Sequence, residues 1–356
     1  MNTRRILIIL SLVGLAGAFI GLLTDQTAFF QAYLVGFSFW IAASLGCLAL
    51  LLTYNITGGP WGEATHRLMA TGAQIMPLTG VLFLPLIAGL PLLYDWAQPE
   101  IVAGNHLLEH RAVFMNTPYV LLRTFGFLTL WSVLGWLLST RWVRRRVLSS
   151  LGLVIYLFTV TIAAMDWLMS IDTEWHSLIY GVLFIATCML IATSLLLALG
   201  RLLNHQWSIQ VNRDLASLLL TAVVVWGYLM FMQYLVIWSG NLPEEIVWYI
   251  NRAGSIWEWV ILLVVMVGFA APCFLLFLPS IRQSPRRLAV LSACVCLAHL
   301  GQMLWLIKPS FGAALHWLDL VLPAGMGGLW LLAFYVVYDR YHNRHHTVAA
   351  TNTPSS

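Results

Sequence analysis

The sequence is short of charge. Asp, Glu, Lys and Arg make up only 9% of its 356 residues, while 60% are hydrophobic; a soluble domain carries roughly 25% charged residues. This shortage excludes a soluble globular protein. The few basic residues are spread over short loops, so we expect no nucleic-acid partner. What the chain has instead is a series of apolar runs of about 20 residues, each long enough to cross a hydrocarbon layer of about 30 Å as a helix.

Sequence patterns that bind metals or haem are also missing. The five cysteines lie inside apolar runs, without the spacing of zinc or iron–sulphur ligands. The sequence has no C-x-x-C-H motif for covalent haem. Of the histidines, His299 alone falls deep inside an apolar run, whereas a membrane di-haem cytochrome needs two pairs of axial histidines. We therefore expect this chain to bind no metal and no cofactor of its own.

The apolar runs are continuous rather than alternating, which favours helices over barrel strands. The sequence predicts an all-α polytopic bundle of about ten spans, with one membrane domain over residues 1–338 and a short polar tail over residues 339–356. The predicted spans are Ile6–Leu23, Ala28–Tyr54, Met69–Tyr94, Pro118–Leu138, Val147–Ile171, Leu178–Leu199, Leu215–Trp238, Trp257–Leu278, Leu288–Ile307 and Leu318–Tyr338.

The basic residues predict the orientation of these spans. Of the 18 Lys and Arg residues, 14 fall on the side of the N terminus, and three (Arg111, Arg252 and Lys308) fall in loops on the opposite side. Loops rich in Lys and Arg stay in the cytoplasm. We therefore expect a multi-pass protein of a bacterial inner membrane with both termini in the cytoplasm and an outer end that faces the periplasm.

Ionisable side chains within a span are costly and are candidates for function. Arg123 lies about five residues inside the fourth span, and Asp166 lies about five residues from the outer end of the fifth. At about 1.5 Å per residue, both fall roughly 8 Å below the outer surface, so we predict that they face the bundle interior and pair. The further polar candidates are Gln233, Glu258, His299, Asp319 and Tyr156.

Two interpretations of this polar group stay open. Carboxylates, histidines and hydroxyl groups can form a proton path through part of the membrane. The same side chains can instead hold helices together through hydrogen bonds worth about 0.5–2 kcal/mol each. A fixed pair between Arg123 and Asp166 favours the second interpretation, because an adjacent arginine holds a carboxylate in its charged form.

Acidic residues in the outer loops predict contacts with partner proteins. Glu174, Glu244 and Glu245 are candidates for docking basic or metal-rich proteins. Pro243 suits the first turn of a helix, where the helix dipole favours the two glutamates that follow it. We therefore predict a short interfacial helix outside the seventh span. A purely local capping role is the alternative for Glu244 and Glu245, and an ordinary solvated loop surface is the alternative for the outer acidic residues as a whole.

Several stretches of the sequence resemble one known family. They are residues 57–62 (TGGPWG), residues 163–181 (AAMDWLMS, followed by EWHS and YG), residues 233–249 (QYLVIWSGNLPEE, followed by WY) and residues 327–330 (GGLW). These stretches resemble the ActF family, the NrfD-like (polysulphide-reductase-type) membrane subunits of bacterial alternative complex III. The likeness extends over roughly residues 31–338.

The resemblance implies paired four-helix bundles with peripheral helices, and a place in a respiratory quinol:cytochrome c oxidoreductase. The implied partners are an NrfD-like sister membrane subunit and periplasmic subunits that carry iron–sulphur clusters and multihaem cytochrome c. Quinol would bind at the level of the complex, and this subunit would supply a proton-conducting path and a platform. Asp166 lies in the matching M-D-W stretch, and Gln233, Glu244 and Glu245 lie in the matching stretch from Q-Y-L to P-E-E.

Two other functions remain open. The chain could itself hold the quinol site, since polar groups at a helix end below an apolar channel suit a quinone head group. It could instead be a secondary transporter. Transporters of this kind have a matching pair of broken spans, one in each half of the chain, and no such pair is visible here, which counts against a transporter. Pro77, Pro85 and Pro91 do interrupt the third span.

Overall fold

The predicted apolar runs form helices. The computed structural model describes residues 3–139 and 145–351, with the backbone alone at residues 3, 145, 244 and 341–351. Over these ranges the chain is 86% helical and contains no strand. Ten of its helical segments are long and apolar enough to cross a membrane. The prediction of an all-α polytopic bundle of about ten spans is therefore confirmed.

Sixteen α-helices make up the described chain. They are α1 (Thr3–Thr24), α2 (Gln26–Thr57), α3 (Pro60–Gln74), α4 (Met76–Leu93), α5 (Pro99–Ala103), α6 (His106–Arg111), α7 (Thr117–Ser139), α8 (Arg145–Trp167), α9 (Tyr180–Leu202), α10 (Ile209–Gly240), α11 (Pro243–Ile250), α12 (Ile256–Val264), α13 (Ala271–Leu275), α14 (Pro279–Arg282), α15 (Pro285–Ile307) and α16 (Leu318–Thr351). A π-helical segment, Val265–Ala270, connects α12 to α13, and short 3₁₀ segments lie at Asp95–Ala97, Met169–Ile171 and Lys308–Phe311.

Three spans differ from the prediction in ways that have local causes. The third span is two helices that meet at Ile75, because Pro77 has no N–H to continue the hydrogen bonds of α3. The eighth span contains the π-helical segment. The last helix runs on to Thr351, into the segment predicted as a tail, because the end of an apolar run limits the membrane span and not the helix.

The spans form two consecutive groups of four. The first group contains α2, the α3–α4 pair, α7 and α8, and the second contains α9, α10, the α12–α13 segment and α15. The two groups meet mainly where α2 packs against α9, while α1 and α16 pack together beside α2. The arrangement is therefore that of two four-helix bundles with two peripheral helices.

The centre of the fold is α2, which is buried on every side from Phe29 to Leu52. A helix that is apolar all round is stable only when other helices or lipid surround it. Gly46 lets α2 approach α9 closely, since a Cβ at this position would collide with the backbone carbonyl of Cys188. Small residues at crossing points are a common basis for helix association in membranes.

Four long connections lie at one end of the bundle, which is called the outer end because the basic residues predict that it faces the periplasm. They comprise residues 94–116, 168–179, 241–255 and 308–317. Within the third connection, Pro243 begins α11, which confirms that a short helix follows the seventh span; its position at the membrane interface stays a prediction. These connections bring together the polar side chains described next.

Candidate functional site

Asp166 and Arg123 are paired near the outer end of the first bundle. Nε and Nη2 of Arg123 donate to Oδ2 and Oδ1 of Asp166, each over 2.9 Å, so the two planar groups form parallel hydrogen bonds. Asp166 is fully buried. Nη1 of Arg123 donates to the carbonyl of Phe114 over 2.9 Å. The predicted pair is therefore confirmed, in the two-bond geometry that gives the strongest contacts between arginine and carboxylate.

Two further hydrogen bonds join α7 to α8, one next to this pair and one about two helical turns deeper. The indole N–H of Trp167 donates to the hydroxyl of Thr124 over 3.0 Å, and that of Trp131 donates to the hydroxyl of Thr159 over 2.9 Å. Thr159 and Asp166 thus both face α7, as their spacing of two helical turns predicts. The polar side chains on one face of α8 therefore form hydrogen bonds with side chains of α7.

A cavity of about 330 Å³ lies against Asp166 at the outer end. The side chains that give it chemical character are Trp96, Arg111, Phe114, Asp166, Asp172 and His176. One wall is fixed by Arg111, whose Nη1 donates to the carbonyl of Thr173 over 2.6 Å. The hydroxyl of Thr173 donates in turn to Asp95 over 2.9 Å. The cavity therefore joins a buried carboxylate to the loops of the outer surface.

A second buried charge, Arg252, joins the outer ends of several helices. Its guanidinium lies 3.5 Å from the centre of the Trp248 ring and donates to the carbonyl of Leu306 over 2.9 Å and to the hydroxyl of Ser310 over 2.8 Å. Ser310 donates to Asp172 over 2.6 Å, and a guanidinium nitrogen lies 3.8 Å from the same carboxylate oxygen. Burial lowers the pKa of Arg252 to about 10, so the side chain stays charged at neutral pH.

A third buried network surrounds Lys308, the only lysine in the sequence. Its Nζ lies 3.3 Å from Oδ1 of Asp319 and donates to Oε1 of Gln31 over 3.2 Å. The positions of Lys308 and Arg252 in the sequence predict charges on outer loops, but both side chains are buried. A count of charges by loop cannot show that these side chains are buried. The only sequence feature that could have indicated it is the position of the single lysine, Lys308, at the end of an apolar run.

The other predicted polar residues do not join the Arg123–Asp166 pair. Glu258 is exposed and accepts a hydrogen bond from the backbone N–H of Gly254 over 3.0 Å. Tyr156, Gln233 and His299 are buried away from it, and His299 uses Nδ1 for a 2.8 Å contact with the carbonyl of Val295. In the part of the chain that the structure describes, these side chains form no continuous hydrogen-bonded path.

Two of the predicted docking acids, Glu174 and Glu245, lie at the outer end of the bundle. Glu174 is exposed. Oε1 of Glu245 lies 3.7 Å from Nε2 of His176, a contact that is ionic when the histidine is protonated. The side chain of Glu244 lies outside those that the structure describes. Within residues 3–139 and 145–351, no group of three or more His, Cys, Asp or Glu side chains could hold a metal ion.

The fold and these networks define a multi-pass α-helical membrane protein with buried charged networks at one end. Comparison with protein-family models and with curated proteins finds no match to this chain.

Proposed function

We propose that this chain is a non-haem membrane subunit of a respiratory quinol:cytochrome c oxidoreductase of the alternative complex III type. The proposal is supported above all by one contact between two of the stretches that resemble the ActF family. Trp175 of one stretch and Trp248 of the other stack with ring centres 4.5 Å apart and planes 14° from parallel. Two stretches that are distant in sequence and resemble one family are therefore packed together, through two buried rings, at the outer end of the bundle.

In this proposal the outer surface is the platform for periplasmic subunits. It presents α11, the exposed Glu174 and the Glu245–His176 contact. Acidic groups suit basic partners, and electrostatic complementarity speeds and orients docking. The partners would be iron–sulphur and multihaem cytochrome c subunits above the membrane and an NrfD-like sister subunit within it.

The proton-conducting role is assigned to Asp166 and the adjoining cavity. A volume of about 330 Å³ accommodates roughly ten waters at about 30 Å³ each. Such a chain of waters would connect Asp166 to the outer surface. The two hydrogen bonds from Arg123 occupy both carboxylate oxygens and favour the charged form of Asp166, which supports a structural role for the pair. In the relay role, water in the cavity would reach the remaining lone pairs of the carboxylate, and the Asp166 variants separate the two roles.

Replacement of Asp166 by Asn tests this role in the purified complex. We expect the variant to assemble, to turn over quinol and to release fewer protons per electron. The matched control is Glu100→Gln, which removes an exposed carboxylate from an outer loop and should leave proton release unchanged. Normal proton release from an assembled, active Asp166→Asn complex would show that Asp166 is not in the path.

A neutral double variant separates the relay role from a structural role. If Asp166→Asn fails to assemble because Arg123 loses its partner, Arg123→Gln with Asp166→Asn leaves no uncompensated charge. Assembly of the double variant with normal proton release would assign the pair to structure alone. Assembly without proton release would support the relay.

Co-purification tests the platform and distinguishes it from a transporter. After mild solubilisation we expect the chain to carry along proteins with iron–sulphur clusters and the visible spectrum of haem c. A preparation that is stable, colourless and active in solute transport without such partners would contradict the proposal.

A quinol site in this chain is the second candidate, and the cavity at Asp166 favours it. The cavity lies within the size range of small-molecule pockets, about 300–1,000 Å³. Its walls include Trp96, Phe114 and Trp175, with Asp172 and His176 as polar groups. Photolabelling of the complex with an azidoquinone would place label on residues 165–176 if this candidate is correct, and on the sister subunit alone if it is not.

A further inference from the structure

The short helix α6, at the outer end of the first bundle, carries two histidines on one face. His106 and His110 are four positions apart in the sequence HLLEHR, so their side chains lie on the same side of the helix, one turn apart. Both side chains are exposed. The centres of their rings are 4.6 Å apart, and the ring planes are 74° from parallel. Neither histidine lines the cavity at Asp166.

Contacts on the other faces of α6 hold this pair in a defined orientation. Leu108 is buried and lines the cavity at Asp166. Nη1 of Arg111 donates to the carbonyl of Thr173 over 2.6 Å. At the start of the helix, Oδ1 of Asn105 accepts from the backbone N–H groups of Leu107 and Leu108. The helix is therefore attached to the bundle through other residues, and the two histidines are presented to solvent.

The distance between the two rings fits a shared metal ion. A histidine nitrogen binds zinc at about 2.0–2.1 Å, and two ligands of a tetrahedral ion are about 109° apart. Two imidazoles that bind one ion in this way have ring centres about 5 Å apart, close to the 4.6 Å between His106 and His110. Exposed side chains change rotamer within picoseconds to nanoseconds, so one nitrogen of each ring can turn towards the same ion.

The chemistry of the pair determines which ions it would bind. Imidazole suits Zn²⁺, Ni²⁺ and Cu²⁺, and Cu²⁺ is bound most strongly of the three, whereas Mg²⁺ and Ca²⁺ prefer oxygen ligands. Among the described residues, no third His, Cys, Asp or Glu completes the site, so water would fill the other coordination positions. Glu109, which is exposed between the two histidines in the sequence, adds a negative charge that favours a bound cation.

We propose that His106 and His110 form a surface site for a divalent metal ion, which binds Cu²⁺ more tightly than Zn²⁺. The ion would link the two ends of α6. This helix has only six residues, and isolated helices shorter than about 12–15 residues are marginal in water, so the ion would stabilise it. Because Leu108 and Arg111 of α6 belong to the wall of the cavity at Asp166, the ion would also hold that wall in place.

This site was not predicted from the sequence, because a spacing of four positions brings two histidines together only where the chain is helical. The site is also independent of the function proposed above, which uses neither His106 nor His110.

Titration of the purified full chain with Cu²⁺ tests the site. The sequence contains another group of histidines, His342, His345 and His346, so the measurements use a full-length chain in which these three are replaced by Gln. We expect one Cu²⁺ ion per chain, with an electron paramagnetic resonance spectrum that shows two coordinating imidazole nitrogens. Zn²⁺ should displace this ion only when it is in excess. Amide hydrogen exchange in residues 106–111 should slow when either ion binds.

Substitutions distinguish an ion shared by the pair from binding to single histidines. His106→Gln and His110→Gln should each raise the half-saturating Cu²⁺ concentration at least about tenfold, because two linked ligands bind far more tightly than either one alone. Both side chains are exposed, so neither change should alter the unfolding midpoint without metal. The matched control, His316→Gln, removes a histidine of another outer connection and should have no effect. A spectrum with a single coordinating nitrogen, an unchanged affinity in either pair variant, or no saturable binding would overturn the proposal.

Discussion

Lys308 and Asp319 form an ion pair that is closed off from solvent, with side chains only 1% and 4% exposed. The pair joins the outer ends of α15 and α16. Each charge has one further polar contact: Lys308 donates to Gln31 of α2, and Oδ2 of Asp319 accepts from the backbone N–H of His316 over 2.8 Å. Each charge therefore depends on the other, because the Coulomb attraction offsets the loss of water around both.

Removal of one member of this pair should be far more damaging than removal of both. We expect Asp319→Asn to lower the free energy of unfolding by about 3–5 kcal/mol, because Lys308 is left buried without a counter-charge. The double variant Lys308→Met with Asp319→Asn should recover most of this loss. Thermal unfolding midpoints in detergent measure both effects.

The exposed pair Arg4–Asp339 supplies the control for this comparison. Its two side chains are 55% and 49% exposed, and exposed pairs contribute about 0–1 kcal/mol. Asp339→Asn should therefore shift the unfolding midpoint little. If Asp319→Asn is as mild as this control, the buried pair does not stabilise the fold.

The Arg123–Asp166 contact should discriminate between arginine and lysine. Arg123→Lys keeps the positive charge but cannot form two parallel hydrogen bonds to the carboxylate. We expect it to cost about 1.5–3 kcal/mol, the range for hydrogen bonds to charged groups. Arg201→Lys is the matched control, since Arg201 is exposed and its hydrogen bond to Asn204 is long, at 3.5 Å. Equal unfolding midpoints for the two variants would count against the importance of the paired geometry.

Much of the fold could be predicted from the sequence because lipid imposes a simple rule. A run of about 20 apolar residues that must satisfy its own backbone becomes a helix, and all ten predicted spans are present. The rule does not locate helix ends outside the membrane, so the start of α3 at Pro60 and the extension of α16 to Thr351 were not predicted. Proline in the third span predicted an interruption but not its position at Ile75.

A contact in the candidate site could be predicted only where both residues lie on consecutive helices, so that their depth in the membrane was enough to bring them together. Arg123 and Asp166 lie on consecutive spans that are joined by a short turn, so their equal depth in the membrane predicted that they are in contact. Lys308 and Gln31 are 277 positions apart in the sequence and meet only through the packing of α15 against α2. Periodicity and depth carry no information about which non-adjacent helices touch, and for this reason the networks of Arg252 and Lys308 were missed.

His205 makes the stability of a connection at the end of the bundle opposite the outer end depend on pH. Its Nε2 lies 2.6 Å from the hydroxyl of Tyr338, and burial together with the nearby charge of Arg67 lowers the pKa of His205. In the unfolded chain His205 takes up a proton at its ordinary pKa of about 6.5, whereas in the folded chain it takes up a proton only at a lower pH. Stability from His205 should therefore be complete above about pH 6.5 and be lost as the pH falls below it.

Unfolding midpoints measured between pH 8 and pH 5 test this dependence. The wild type should lose stability more steeply on acidification than His205→Gln, which cannot take up the proton. His106→Gln changes an exposed histidine of an outer loop and should keep the wild-type slope. Identical slopes for wild type and His205→Gln would assign the acid sensitivity to other groups.

The crossing of α1 and α16 should tolerate no side chain at Gly14. A Cβ at Gly14 would collide with the backbone of Gly325, so Gly14→Leu must push the two helices apart. We expect this change to cost at least about 1–3 kcal/mol, the usual effect of overpacking, and to loosen α1 from the bundle.

The matched control is Gly126→Ala in α7, where a Cβ meets no neighbouring atom within 4 Å. Because alanine has the higher helix propensity, this control should be neutral or more stable by up to about 1 kcal/mol. Proteolysis of α1 in detergent and the unfolding midpoint report the difference, and an unchanged Gly14→Leu variant would mean that α1 does not depend on this close approach.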